Sequence, residues 1–234
     1  MDADGINRDV GQLIKEFHKV AWHEPLSLKN ISTTWDLQVR GICHVGAHKA
    51  TEAEVYKAVF GDIPITFIEA NGNLEPYIKD RINGHENVDY KIVAAGSSFC
   101  EAVIHLDTYE SATGESSSLL KPKKHLRAHP ETTFHKPRPV KVEPLDHIMK
   151  GKSFNFLNMD VNGYELEVLR GATEAMKGVE YILIEVNRDE LYEGCVMIDE
   201  LDSFLHDFKR VHTEWSPRQD WGDALYIRTD LIDV

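Results

Sequence analysis

Residues 154–172 read FNFLNMDVNGYELEVLRGA. An apolar, strand-like run from Phe154 to Met159 ends in Asp160. A turn through Asn162 and Gly163 follows, and a helix starts at about Tyr164. A strand that delivers one carboxylate at its C-terminal tip and then turns into a helix is how open α/β sheets build their sites. Asp160 and Asn162 are also common helix caps, so one such unit alone decides little. The chain repeats the pattern, however. The run 42–45 ends at Gly46, 64–68 ends at Glu69, and 181–184 ends at Glu185. Several strands with polar tips on one sheet edge describe a crevice.

The 234 residues are enough for one large domain, and 42% apolar content is ordinary for a globular chain. No run approaches the ~18 apolar residues of a membrane span. The start, MDADGINRDV, lacks the basic and apolar parts of a secretory signal. Cys43, Cys100 and Cys195 are far apart, odd in number and in no zinc spacing, which points to a reducing, cytoplasmic compartment. A net charge of −13 argues against nucleic-acid binding. The exception is residues 121–141, with Lys121, Lys123, Lys124, Arg127, Lys136, Arg138 and Lys141. This basic island reads either as a solvated loop or as a flap that attracts an anionic substrate.

The domain reading is an N-terminal helical extension over 1–40 and a catalytic-type domain over 41–234, with the long basic flap at about 107–139. Val10, Leu13, Ile14, Phe17 and Val20 have helical spacing and predict an amphipathic helix over 9–22. Gly46-Ala47-His48-Lys49-Ala50 forms a tight turn after the first strand. Thr51 and Glu54 match a capping box that opens the next helix, and Gly61 stops it. Strands are expected at 65–68, 88–93 and 101–106, helices at 74–82 and 198–207, and a final strand pair at 209–214 and 224–228. That order implies a mostly parallel sheet with one antiparallel edge.

The strand–GAHKA–helix unit places backbone N–H groups and a helix start at the sheet edge, suited to an anionic or polar cofactor group. It is not G-x-G-x-x-G, because His48 and Ala50 occupy later glycine positions. Glu69, 23 residues after Gly46, stands where this fold bonds a ribose hydroxyl. Turn and acid together favour a cofactor with an adenosine moiety.

The stretches HVGAHKATEAEVY, FIEAN, SSSLL and above all FLNMDVNGYELEVLRGA resemble the FkbM-type S-adenosylmethionine-dependent methyltransferases. The resemblance covers about residues 41–228. It implies a class I, Rossmann-like fold: a seven-stranded, mostly parallel sheet with an antiparallel last strand and helices on both faces. It also implies O-methylation, typically of sugar or polyketide hydroxyls, with S-adenosyl-L-methionine as cofactor. By position, Gly46, Ala47 and His48 would line the methionine part of the cofactor. Glu69 would bond the ribose, with Ala70 and Asn71 beside it. Ala94 would border the adenine, Asp160 would sit beside the sulfonium, and Ser117 and Ser118 would lie near cofactor or acceptor. The chain departs from the family pattern at His44, where an acid is usual, and at Ala50, where a second glycine is usual.

A sugar hydroxyl is a poor acid, so a base or a metal must act as the new bond forms. Asp160 and Glu185 stand at adjacent strand tips, with Asn187 close by. A divalent ion (Mg or Mn) on Asp160, Glu185 and Asn187 would lower the hydroxyl pKa. Without metal, Asp160 or one of His48, His105, His125, His129 and His135 would be the base. Trp215, Trp221 and Tyr226 either stack on a sugar ring or cap the core. The expected acceptor is a carbohydrate or glycoconjugate. Two rivals stand beside this reading: a non-catalytic cofactor- or glycan-binding module, motivated by His44 and Ala50, and an NAD-type dehydrogenase, which the missing glycines disfavour.

Overall fold

The computed structural model describes residues 27–107, 114–130, 132–135 and 137–232. The helix expected over 9–22 lies outside them. In chain order the elements are α1 (Leu28–Thr34), β1 (Ile42–Val45), α2 (Ala53–Phe60), β2 (Ile65–Glu69), α3 (Glu75–Ile82), β3 (Val88–Ile92), β4 (Ala94–Gly96) and β5 (Cys100–Ile104). They continue with α4 (His125–Ala128), β6 (Arg138–Pro144), α5 (Leu145–Ile148), β7 (Phe156–Met159), α6 (Glu165–Arg170), β8 (Tyr181–Asn187), α7 (Ile198–Phe204), β9 (Phe208–Trp215) and β10 (Trp221–Arg228).

Seven strands form one sheet in the order β3-β2-β1-β7-β8-β10-β9. The pairs from β3 through β8 are parallel, while β10 runs antiparallel to both β8 and β9. The central strands are apolar on both faces, and helices cover both. One face packs Val45, Ile68, Met159 and Ile184 under Leu145, Val168 and Leu201 of α5, α6 and α7. The other packs Ile42, Phe67, Phe156 and Leu225 under Ile31, Tyr56 and Ile78 of α1, α2 and α3.

Three sequence expectations change. The last strand, β10, is the antiparallel one, as expected, but it does not lie at the edge: it inserts between β8 and β9, so β9 closes the sheet. The run expected as one strand over 88–93 breaks at Val93. Ala94–Gly96 then joins a separate three-stranded sheet, β4-β6-β5. The Thr51–Glu54 capping box does not form. Two consecutive tight turns, Ala50 N–H to Ala47 O (2.7 Å) and Ala53 N–H to Ala50 O (3.2 Å), carry the chain past Thr51 before the helix begins. Glu52 is the residue at the cap, and the Thr51 hydroxyl donates to its carboxylate at 3.1 Å.

Candidate active site

The C-terminal strand tips line up in one row. Val45 pairs with Ile68 on one side and Met159 on the other, and Met159 pairs with Ile184. One residue further along, Gly46 therefore falls between Glu69 and Asp160, and Asp160 falls beside Glu185. Glu185 pairs with Asp223, and Asp223 with Glu214. Residues of one register share a face and stand about 5 Å apart. The row Glu69, Gly46, Asp160, Glu185, Asp223, Glu214 thus crosses six strands with five carboxylates and one glycine.

Gly46 is the gap in the row. Its φ is +83°, and a Cβ there would lie 1.6 Å from the Asp160 carbonyl oxygen. Only glycine lets β1 and β7 approach this closely at the crevice. Past it, the His48 N–H donates to one oxygen of Glu69 at 2.8 Å, and the Asn71 N–H donates to the other at 2.7 Å. Each carboxylate oxygen keeps a further lone pair, so Glu69 can still accept two hydroxyls. Burial pushes Glu69 up to about 7, against the pull of those N–H donors. Cofactor binding through the ionised form should therefore weaken as pH falls through 7. From about pH 8 to pH 6 the affinity for S-adenosylhomocysteine should drop roughly tenfold, read by calorimetry. Glu69→Gln should remove that dependence.

Ala50 keeps the backbone that the second glycine would supply, with φ of 53° at a fully buried position. The turn is preserved at a strain of about 1 kcal/mol. His44 lies one step below the row. Its Nδ1 is 3.1 Å from the Tyr56 hydroxyl, which accepts from Asn158 Nδ2 at 2.5 Å, and its ring packs against Phe67. Burial drives it down to about 3, so it stays neutral. It ties α2 to β1 and β7, an anchoring role that residue type alone did not reveal.

Beyond Asp160 the turn is braced from inside. Glu165 is fully buried, and its Oε1 accepts from the N–H groups of Val161 (3.2 Å) and Gly163 (3.0 Å), while Oε2 has no partner. Gly163 sits against Cys195, where a Cβ would come within 2.5 Å of Cys195 Cβ. Ser118 donates to Asn162 O at 2.8 Å, Asn162 Nδ2 donates to Glu115 O at 3.1 Å, and the one hydroxyl proton of Tyr192 is shared between Ser116 O at 2.8 Å and Asn162 Oδ1 at 3.1 Å. These bonds clamp the serine-leucine segment onto the turn. Ser117 is engaged elsewhere, its hydroxyl donating to Asp107 at 3.2 Å. Ala94 is buried in β4, and the Val93 N–H before it donates to Glu69 O at 2.9 Å, which keeps it beside the β2 tip.

Like charges dominate the row. Two carboxylates ~5 Å apart at an effective dielectric of ~20 repel by about 3 kcal/mol. Asp160 opens to the crevice, yet lost hydration and then the charges of Asp223, Glu165, Glu52 and Glu69 raise its carboxyl well above the ordinary range. Burial, then Asp160, Glu165 and Asp223, raises Glu185 likewise. Burial lifts Glu165 to about 7 and, with Glu214, Asp223 to about 6. For Glu165 the folded value exceeds the unfolded one. Its contribution is fully present below about pH 4.5 and lost as pH rises through 7, worth up to about 3 kcal/mol. Urea unfolding at about pH 5 and pH 8 should show that loss. Glu165→Gln, which keeps the accepting oxygen, should reduce it by the share of Glu165 and leave the share of Glu69 and Asp223. Glu165→Ala should cost about 2–4 kcal/mol at both pH values by stranding two N–H groups.

The structure thus gathers Gly46, Ala47, His48, Glu69, Ala70, Asn71, Asp160 and Glu185 at one edge, with Ser118 clamped beside them. Among the described residues no three His, Cys, Asp or Glu side chains converge to hold a metal, and the Mg or Mn site expected on Asp160, Glu185 and Asn187 is not found as such. Three lysines of the basic island are paired with carboxylates of the segment after β8. Lys121 pairs with Glu193 (3.9 Å), Lys123 with Glu190 (2.5 Å) and Lys124 with Asp189. His105 is buried, and burial lowers its pKa; His125 is buried against His129, Phe134 and Tyr192. Trp215 is held under Arg188 at 3.6 Å, and Tyr226 is buried, donating to Asp202 at 2.7 Å. Sequence reasoning missed Glu165, Asp223 and Glu214.

The family pattern described as Methyltransferase FkbM domain matches residues 44–211, well over half the chain. The chain belongs to the FkbM methyltransferase family. The FkbM match contains the whole row except Asp223 and Glu214. The curated 2-O-methyltransferase NoeI of Sinorhizobium fredii (strain NBRC 101917 / NGR234) is 31% identical over 119 residues, 50% of this chain and 48% of NoeI. The chain therefore matches about half the length of that relative. Among solved structures, the fibrillarin/Nop5p complex aligns over 81% of this chain and 72% of that one, with TM-score 0.50 and 11% identity. A SAM-dependent methyltransferase from Aquifex aeolicus aligns over 85% and 88%, with TM-score 0.46 and 12% identity. At 11% identity the fibrillarin structure speaks to fold alone, in keeping with the mostly parallel seven-stranded sheet described. No helix among the described residues is long and apolar enough to cross a membrane.

Proposed function

We propose that this FkbM chain is an S-adenosyl-L-methionine-dependent O-methyltransferase acting on a sugar hydroxyl of a glycan or glycoconjugate. The observation that carries the reading is the row itself: a glycine between Glu69 and Asp160, with Glu69 pinned by two backbone N–H groups and free to accept more. The residues fit the cofactor. Glu69, with Asn71 beside it, would take the ribose hydroxyls, the turn from Gly46 to His48 the methionine end, and Ala94 the adenine border. The bound cofactor supplies an electrophilic methyl.

The chain's own residues do the rest. Asp160, beside the gap, would accept the hydroxyl proton as the new C–O bond forms and the C–S bond breaks. Its raised pKa matches it to a weakly acidic partner. Ser118, Asn162 and Tyr192 would hold the acceptor wall against the turn. No step is routed through a metal. The sugar choice draws on the likeness to NoeI. Incubation with methyl-labelled cofactor and a saccharide panel tests it. One methyl on a hydroxyl oxygen is the expected product; methylation confined to proteins, nucleic acids or nonsugar small molecules would refute the acceptor class.

A further inference from the structure

The carboxylate row does not end where the cofactor would. It continues through Glu185, Asp223 and Glu214 across β8, β10 and β9, on the side of Asp160 away from Glu69. Among the described residues, Asp160, Glu165, Glu185 and Asp223 form no ion pair. A sulfonium beside Asp160 would leave Glu185 and Asp223 uncompensated. A second observation points to a ligand at the same place. Asn187 is fully buried, two residues past Glu185 and so on the same face, and neither its Nδ2 nor its Oδ1 has a partner. A buried amide with both ends open is costly unless something arrives to satisfy it.

We propose that the acceptor carries an ammonium group, which docks between Glu185 and Asp223 while an adjacent hydroxyl bonds the Asn187 amide. This rests on the methyltransferase reading and specifies its acceptor. The site reverses the expectation raised by the basic island. Lys121, Lys123 and Lys124 are paired with Glu193, Glu190 and Asp189, so they do not offset the acidic row. A phosphate or acidic sugar would face Glu185 and Asp223 directly. A cation relieves the repulsion that lifts their pKa values, and an anion adds to it.

Two oligosaccharides of equal length test this, one of glucosamine units and one fully N-acetylated, titrated calorimetrically into the protein with S-adenosylhomocysteine bound, at about pH 6.5 so that the amines are charged. The free amine should bind at least tenfold tighter, and Asp223→Asn should remove most of that difference. Equal affinities, or tighter binding of the N-acetylated form, would overturn the ammonium site and leave the saccharide reading standing. Neither sugar binding while the homocysteine product binds would overturn the saccharide acceptor and this site together. No binding of the product would overturn the methyltransferase reading itself. Magnesium binding that is lost in Asp223→Asn and blocks the amine would assign the row to a metal instead.

Discussion

Asp160→Asn should lower methyl transfer by about 10²–10⁴-fold while raising the stability of the folded protein. Both effects come from one place. Asp160 stands next to the Gly46 gap and beside Glu185, and its carboxyl is lifted by lost hydration and by four neighbouring carboxylates. An amide of the same shape cannot take a proton, so the acceptor hydroxyl would lose the base proposed for it. The same change removes one member of a row of like charges. Unfolding at about pH 8 should show a gain of roughly 1–3 kcal/mol, as expected where a functional group is held at the expense of stability. Affinity for S-adenosylhomocysteine should change only a few-fold, because Glu69 and the Gly46 turn remain. A variant that keeps full activity would remove Asp160 from the chemistry; one that loses both activity and stability would make it a structural residue.

Gly46→Ala should be the most damaging added methyl among the described glycines. Its Cβ would sit 1.6 Å from the Asp160 carbonyl oxygen and 2.7 Å from the carbonyl carbon, both backbone atoms that no rotamer can move. β1 and β7 would have to part where Asp160 N–H bonds Val45 O at 3.0 Å. A cost of at least about 4 kcal/mol is expected, a fall of roughly 8–16 °C in Tm for a chain of this size. Gly61→Ala is the control. Its φ of +79° is nearly the same, but nothing lies within 4 Å of the added carbon. Its ψ of −158° puts it in a nearly glycine-only conformation, so it should cost about 1–3 kcal/mol of backbone strain, still less than Gly46→Ala. Equal losses in the two variants would mean that backbone angle, rather than the close approach of β1 and β7, is what Gly46 serves.

The parts of this fold that could be read directly are those written in local patterns. Gly46, Glu69 and Asp160 each close an apolar run at a strand tip, whatever the strand order; Glu185 follows such a run too, but β8 continues through it to Asn187. Asp223 and Glu214 could not be found that way. They join the row only because β10 inserts between β8 and β9, and chain order alone does not specify that insertion. Glu165 looks like an ordinary acid in a first helical turn; its buried role depends on the Asn162 backbone (φ 54°) folding Val161 and Gly163 back onto it. The β4-β6-β5 sheet escaped notice because Ala94–Gly96 is three residues long and its partner begins at Arg138. The capping box at Thr51 was a pattern match that the preceding double turn displaced.

His44 and Ala50 mark departures from the family pattern, and both are compatible with a working crevice. Ala50 holds the left-handed turn, and His44 sits neutral beneath the row, bonded to Tyr56. The rival reading of a module that has lost its cofactor therefore finds no damage to the turn at these two positions.

The central claim is that the crevice between Glu69 and Asp160 binds the methyl donor and its product. Calorimetric titration of the protein with S-adenosylhomocysteine at about pH 8, with NAD as the control, tests it most directly. Micromolar binding of the homocysteine product, lost in Gly46→Ala and absent with NAD, is the predicted result. No binding of the product, or binding of NAD in its place, would contradict the account.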